Sequence, residues 1–371
     1  MKDAQNPVAY TLPPARGTDP PNAPGYIDFR SDTVTYPTME MFQAMIHSSM
    51  GDDVYGEETD TIALEEQVAK LFGKEAGCFV LTGTMANQLA IRSHVAHPPA
   101  SIIVDARCHV WAWEAGATSY HTGAQMVPVY LPAGSYLDAD SVSPFIRDYS
   151  NYHIAPTKLI CVENTLDGEV VPIANLQSLY NLSRASKPVI PIHLDGARLW
   201  NAHVATGVPL ADYGKLVDSI SVCFSKGLGT MMGSCVVGTK DFIDNVRRYR
   251  KIFGGGWRQS GPLAAAASYA IDHHLPLLKH EHALASYLGA ELVSLGFSLT
   301  RRVDTNMVWI DLENSFKRLG VKSTAKDFQN KLWEEEKVKV GVDARGVARV
   351  IIHGQNHAGV QKIIRVLKSF S

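Results

Sequence analysis

Short apolar runs of strand length alternate with longer amphipathic stretches through most of this chain, and that alternation restricts the fold more than any other feature. The runs are AGCFVL (76–81), SIIVDA (101–106), KLICVEN (158–164), VIPIHLD (189–195), DSISVCFS (218–225) and SCVVG (234–238). Near-continuous apolarity of this kind predicts buried strands. Between them lie helical patterns: over 60–73, Ile62, Leu64, Val68, Leu71 and Phe72 fall close to one face, with Thr59 or Asp60 placed as the cap. Strands and helices in alternation predict an α/β fold, a mostly parallel sheet covered by helices on both faces. Ligands are then expected outside the carboxyl ends of the strands.

The pattern changes after about residue 276. A long helix (278–295), a strand at MVWIDL (307–312), a helix near 323–335, and a strand ARVIIH (348–353) followed by a closing helix describe a smaller α+β unit. At the other end, residues 1–25 are rich in Pro, Ala, Gly and Asn with little to bury, and are expected to form a flexible arm. The predicted organisation is an arm over 1–25, a large ligand-binding domain over 26–275 and a small C-terminal domain over 276–371.

Charge narrows the partners. With 35 basic and 37 acidic side chains the chain is nearly neutral and carries no Lys/Arg-rich run, which argues against nucleic acid or an anionic membrane surface. No apolar run approaches the roughly 20 residues of a membrane span, and the opening residues lack the apolar stretch of a secretory signal. A cytoplasmic protein acting on a small molecule is expected. The five cysteines, Cys78, Cys108, Cys161, Cys223 and Cys235, are odd in number and lie mostly in strand-like runs, so core thiols are predicted rather than disulfides or a zinc site. His273–His274 and the HEH at 280–282 are expected on helix surface and loop.

Four strand ends carry polar residues of complementary kinds. In FVLTGTMAN, Gly83 and Thr84 open a helix expected near Met85, where free N–H groups favour an anion such as a phosphate. Asp195 ends VIPIHLD, and a carboxylate there needs a cation or strong donor beside it; pairing with Arg198 is one way to supply it. Lys226 follows the apolar run SISVCFS, where the neutral amine is favoured and can condense with an aldehyde. GGGWRQSG (254–261) carries Arg258. A phosphate site, an acid for a protonated ring nitrogen and a lysine for an aldehyde are together the requirements of pyridoxal 5'-phosphate. A dinucleotide is disfavoured, because the TGT turn lacks GxGxxG spacing.

The stretches IDFRSDTVT (27–35), GDDVYGEE (51–58), TGTMAN (82–87), HLDGARLWNA (193–202), SKGLG (225–229) and GGGWRQSG (254–261) resemble the low-specificity L-threonine aldolases. These are fold type I enzymes of the aspartate-aminotransferase type, with the pyridoxal phosphate-dependent transferase-like fold. The resemblance covers residues 26–371 and implies a lyase that cleaves L-threonine, L-allo-threonine and related β-hydroxy-α-amino acids to glycine and an aldehyde. It implies Lys226 as the lysine that holds the cofactor, Asp195 as the partner of its ring nitrogen, and Gly83 and Thr84 as the phosphate turn. Arg258 matches an arginine that reaches the phosphate of a neighbouring subunit, and Tyr55 a tyrosine lent across the interface, so a homodimer or homotetramer with shared sites is implied. His109 matches the histidine stacked on the cofactor ring and His153 a second histidine near the substrate β-hydroxyl. Ser31, Arg198 and Arg349 match groups that hold the substrate carboxylate; Arg198 also borders the cofactor.

Some residues depart from the family pattern. Thr230-Met231-Met232 follow SKGLG, Tyr36 follows SDTVT, Leu166-Asp167 follow ENT, and Trp111 and Trp113 crowd the turn after His109. A pocket narrowed by Thr230-Met231-Met232 and the two tryptophans suits a small side chain such as a methyl group, which keeps a pyridoxal phosphate-dependent alanine racemase on the same fold as the competing function.

Overall fold

In the computed structural model, which describes residues 16–370, the apolar runs become the strands of one seven-stranded sheet. Its strands are Ala76–Val80, Ser234–Gly238, Ser219–Cys223, Ile192–Gly196, Thr157–Glu163, Ser101–Asp105 and Gln125–Val129 in spatial order. Only Ser234–Gly238 runs against its neighbours. Gln125–Val129, absent from the expected set, sits at one edge, where Pro128 costs no internal ladder bond. The carboxyl ends of Ala76–Val80, Ser101–Asp105, Thr157–Glu163, Ile192–Gly196 and Ser219–Cys223 therefore open on one side.

The helix predicted over 60–73 spans Thr59–Leu71, but its cap is Glu58, whose Oε2 accepts from the Thr61 N–H at 2.6 Å. Glutamate can substitute for the shorter capping side chains because Glu58 is fully buried and held in place. Helix Gly83–His94 starts two residues earlier than expected, with Thr82 as its cap.

A second, antiparallel sheet joins Gly341–Val342, Val347–Ile351, Met307–Asp311 and Ser298–Leu299. Its core of Leu284, Leu288, Val308, Phe316, Phe328 and Ile363 is separate from the large core around Phe79, Ile103, Leu194 and Ile220. Ile27–Asp28 pairs with Val338–Lys339, and Phe29 is buried in the second core. Residues 27–29 thus pack with the C-terminal unit, a contact between chain ends that no local pattern announces.

Residues 1–15 of the expected arm lie outside the described residues. The remainder corrects the expectation at Arg16, whose buried guanidinium pairs with Glu281 and donates to the Gly227 carbonyl. His274 and Glu281 are likewise buried rather than on the surface; His274 Nδ1 lies 2.8 Å from the Leu228 carbonyl. All five cysteines are free and buried. Among the described residues no helix is long and apolar enough to cross a membrane.

Candidate active site

Two adjoining cavities lie where the strand ends face the small sheet. The inner one, about 110 Å³, is lined by Gly83, Thr84, Asn87, Asp195, Cys223 and Lys226, with His109 at its wall. The outer one, about 410 Å³, shares His109 and Lys226 and adds Ser31, Glu163, Asp167, Arg198, Trp309 and Arg349.

Lys226 stands in the turn after Ser219–Cys223. Its carbonyl accepts from Thr35 Oγ1 at 2.9 Å and from the Gly229 N–H at 2.8 Å, and Gly229 adopts φ +85°, a conformation that favours glycine. Thr82 Oγ1 accepts the Met85 N–H at 3.1 Å, so the N–H groups left for an anion at this helix start are those of Gly83 and Thr84, and that of Met85 is taken. A Cβ on Gly83 would fall 2.6 Å from Cys223 Sγ, which makes this turn specific for glycine.

Asp195 is not paired with Arg198. Its Oδ2 accepts from Asn87 Nδ2 at 2.7 Å and its Oδ1 from the Ala197 N–H at 3.0 Å. Arg198 instead grips Asp32, through Nε at 2.8 Å and Nη2 at 2.6 Å. Burial alone would raise the Asp32 carboxyl, but Arg198 and Lys226 outweigh it and bring it down to about 2. Glu163 sits beside Asp195 on the neighbouring strand. Burial, reinforced by Asp195, pushes its carboxyl well up, and its Oε2 accepts the His109 N–H at 2.6 Å. His109 Nδ1 lies 2.8 Å from Glu114 Oε1, which leaves Nε2 as the basic nitrogen of the ring.

On the small sheet, Arg349 lies opposite Trp309, 5.7 Å from its ring, and donates to the Arg30 carbonyl at 2.9 Å. Burial and Arg198 both lower the Arg349 guanidinium from its usual value. Ser31 Oγ accepts from the Thr33 N–H at 3.2 Å at the cavity rim.

Three expected residues stand apart. His153 is exposed on the loop before Thr157–Glu163, at the amino end of a strand whose carboxyl end holds Glu163. A seven-residue strand spans roughly 20 Å, so His153 does not reach this chain's own cavity, contrary to a position near the substrate of the same subunit. Tyr55 and Arg258 are also exposed and outside both cavities; the Tyr55 N–H and Arg258 Nη1 share Asp52 at 3.2 Å. Of the unusual residues, Trp113 and Asp167 line the outer cavity, whereas Trp111, Met231 and Met232 do not. Within this chain the two methionines do not narrow the pocket as expected: neither lines either cavity, and the buried Thr230 hydroxyl donates to the Met232 carbonyl.

Asn87, Glu114, Asp32, Glu163 and Trp309 went unassigned in the sequence. Asn87 had a readable signal: it lies four residues, one helical turn, after Gly83. His109, Glu114 and Asp195 bring three ligand atoms within 4.8 Å of one another, but hydrogen bonds from Asn87 and His109 already account for the cluster.

Residues 28–315 match the beta-eliminating lyase family. The chain belongs to that family. Among curated relatives of this chain, the probable low-specificity L-threonine aldolase of Schizosaccharomyces pombe is 47% identical over 281 residues, 76% of this chain and 74% of the relative. The low specificity L-threonine aldolase of Saccharomyces cerevisiae is 43% identical, over 77% of this chain and 74% of the relative. Among solved structures, the Leishmania major threonine aldolase superposes with a TM-score of 0.78 over 92% of this chain and 99% of that one, at 20% identity. The fold is thus that of the type I pyridoxal phosphate enzymes.

Proposed function

We propose that this lyase cleaves L-threonine, L-allo-threonine and related β-hydroxy-α-amino acids to glycine and an aldehyde, using pyridoxal 5'-phosphate. The observation that carries the reading is the convergence of Lys226, Asp195 and the Gly83–Thr84 helix start on one cavity, with His109 in its wall. The donor set fits the cofactor. Gly83 and Thr84 would hold the phosphate, Asp195 the protonated ring nitrogen, His109 the ring face, and Lys226 would tether the group. When bound, it supplies an electron sink that weakens the bonds to the substrate Cα.

The protein then selects the bond and moves the proton. Arg349 and Ser31 hold the substrate carboxylate. The Arg198 fork is committed to Asp32, so Arg198 contributes its charge and its remaining Nη1 edge. Glu114 orders the His109 ring, and Nε2 accepts the β-hydroxyl proton as the Cα–Cβ bond opens. His153, Tyr55 and Arg258 are exposed outside this chain's own cavities, as side chains lent to another copy would be, which supports an oligomer with shared sites. The two separate cores support a division between large and small domains near residue 275, with residues 27–29 returned to the smaller through the strand Ile27–Asp28 and the buried Phe29.

Removal of the Arg349 clamp is expected to lower kcat/KM by about 10²-fold, with KM raised. Steady-state kinetics of Arg349→Ala on L-allo-threonine check this; unchanged kcat/KM would exclude Val347–Ile351 from the site. For the shared site, Lys226→Ala and Arg258→Ala subunits are co-expressed with different tags and the mixed oligomer is isolated. It is expected to regain activity that each parent lacks, whereas a mixed oligomer as inactive as its parents would show that Arg258 serves its own subunit.

The reading is tested by incubating the holoenzyme separately with L-threonine and L-allo-threonine and quantifying acetaldehyde and glycine; equimolar release supports it and release of neither overturns it. Alanine racemisation is the second reading. Trp113 in the outer cavity wall, suited to a small side chain, is the observation on its side.

A further inference from the structure

Behind Asp195 a line of polar side chains runs between helix Gly83–His94 and the strands Ile192–Gly196 and Ser219–Cys223, and its donors and acceptors can point in only one direction. Asn87 Nδ2 lies 2.7 Å from Asp195 Oδ2 and 3.0 Å from Glu114 Oε1. Ionised carboxylates only accept, so the amide nitrogen must face them and the amide oxygen must face the other way. There Oδ1 meets Ser221 Oγ at 2.6 Å and His193 Nε2 at 3.1 Å. An amide oxygen against a ring nitrogen requires that nitrogen to carry a proton. Burial brings the His193 imidazole down to about 4, so the ring is neutral near pH 7 and Nδ1 is bare. Nδ1 then accepts from the Ser219 hydroxyl at 2.9 Å. With its proton so used, Ser219 Oγ accepts from His94 Nε2 at 2.7 Å, and burial holds His94 at about 3, neutral as well.

We propose that His193 is a positioning residue for Asp195, acting through the amide of Asn87, with its tautomer set by Ser219 and His94. The inference rests on Asp195 serving the bound cofactor, but the arrangement of protons can be read independently of any reaction. Reversal of the line would turn the Asn87 oxygen onto two carboxylates. The line prevents this by giving Asn87 a hydrogen-bond donor on its oxygen side from both His193 and Ser221. His193 and Ser219 are fully buried, and Ser219 does not touch Asp195. The hydrogen-bonded route from Ser219 to Asp195 runs through His193 and Asn87, and the His193 tautomer reports on it.

The test uses holoenzyme labelled with ¹⁵N-histidine, the His193 signals being assigned by their loss in His193→Asn. Nitrogen chemical shifts distinguish protonated from bare ring positions. Wild-type His193 is expected as a single neutral Nε2–H tautomer. Ser219→Ala is expected to give a mixture of tautomers and to lower kcat by about tenfold to a hundredfold, the range over which orienting partners act at ligand sites, with little change in KM. Ser219→Thr keeps the hydroxyl and is expected to restore both. A wild-type Nδ1–H tautomer or imidazolium would overturn the proposal, as would a Ser219→Ala enzyme that loses only thermal stability while keeping one tautomer and full kcat. If the expected tautomers are found in a protein that releases no aldehyde, the relay stands and the aldolase reading alone fails.

Discussion

Replacement of Lys226 by alanine is expected to abolish the yellow absorption of the covalently held cofactor and to lower turnover of β-hydroxy-α-amino acids by about 10⁴-fold or more, the scale of losing a covalent catalytic group. The reason is positional. Ser219–Cys223 is buried throughout, the Trp200 Nε1–H donates to the Cys223 carbonyl at 3.0 Å, and the turn beyond it is closed by Thr35 and Gly229 on the Lys226 carbonyl. The amine therefore enters both cavities from a fixed backbone. Absorption spectra and kinetics of Lys226→Ala check the prediction. Borohydride reduction and peptide mapping that placed the cofactor on another lysine would reassign the site.

Asp32→Ala is expected to cost about 3–5 kcal/mol of stability at neutral pH, because it leaves the Arg198 guanidinium without its buried partner. Asp32 is fully buried and the Arg198 side chain is 17% exposed, so little water reaches the pair. The sign with pH follows from the Asp32 carboxyl, which stands at about 2 in the folded protein against an ordinary 3.8. A depressed carboxyl adds stability that is complete above the ordinary value and is lost as pH falls from about 4 through about 2. That contribution is about 2 kcal/mol. Urea unfolding of wild type and Asp32→Ala between pH 7 and pH 3 follows roughly the first half of this loss. The gap between the two proteins should narrow toward the acid end, and a constant gap would show that the carboxylate charge is not what Arg198 needs.

The legible part of this protein was its sheet and three cavity-lining positions at the ends of its strands, for a common reason. Buried parallel strands demand unbroken apolar runs, and a polar residue at the end of such a run has few explanations other than a site. Lys226, Asp195 and Gly83 each stand at that kind of boundary. Gln125–Val129 escaped notice because an edge strand tolerates Pro128 and an exposed Gln125. The partners of the site were less legible. Asp32 and Arg198 are 166 positions apart, and Asn87 and Asp195 108. Nothing local in either sequence segment shows that these pairs meet, so Asp195 looked like a partner for Arg198 when each in fact has another. Tyr55 and Arg258 illustrate a different limit: the roles their resemblance implies belong to an assembly, and within one subunit both are exposed side chains away from the cavities, as is His153, for which a place near the substrate was expected.

The direct measurement of bond choice is to supply the holoenzyme in heavy water with L-allo-threonine and, in parallel, with L-alanine, and to follow acetaldehyde and the deuterium and configuration at Cα. Cleavage of Cα–Cβ predicts acetaldehyde equimolar with glycine that carries deuterium from solvent, and L-alanine left largely unconverted. Rapid formation of deuterated D-alanine with no detectable acetaldehyde would contradict it.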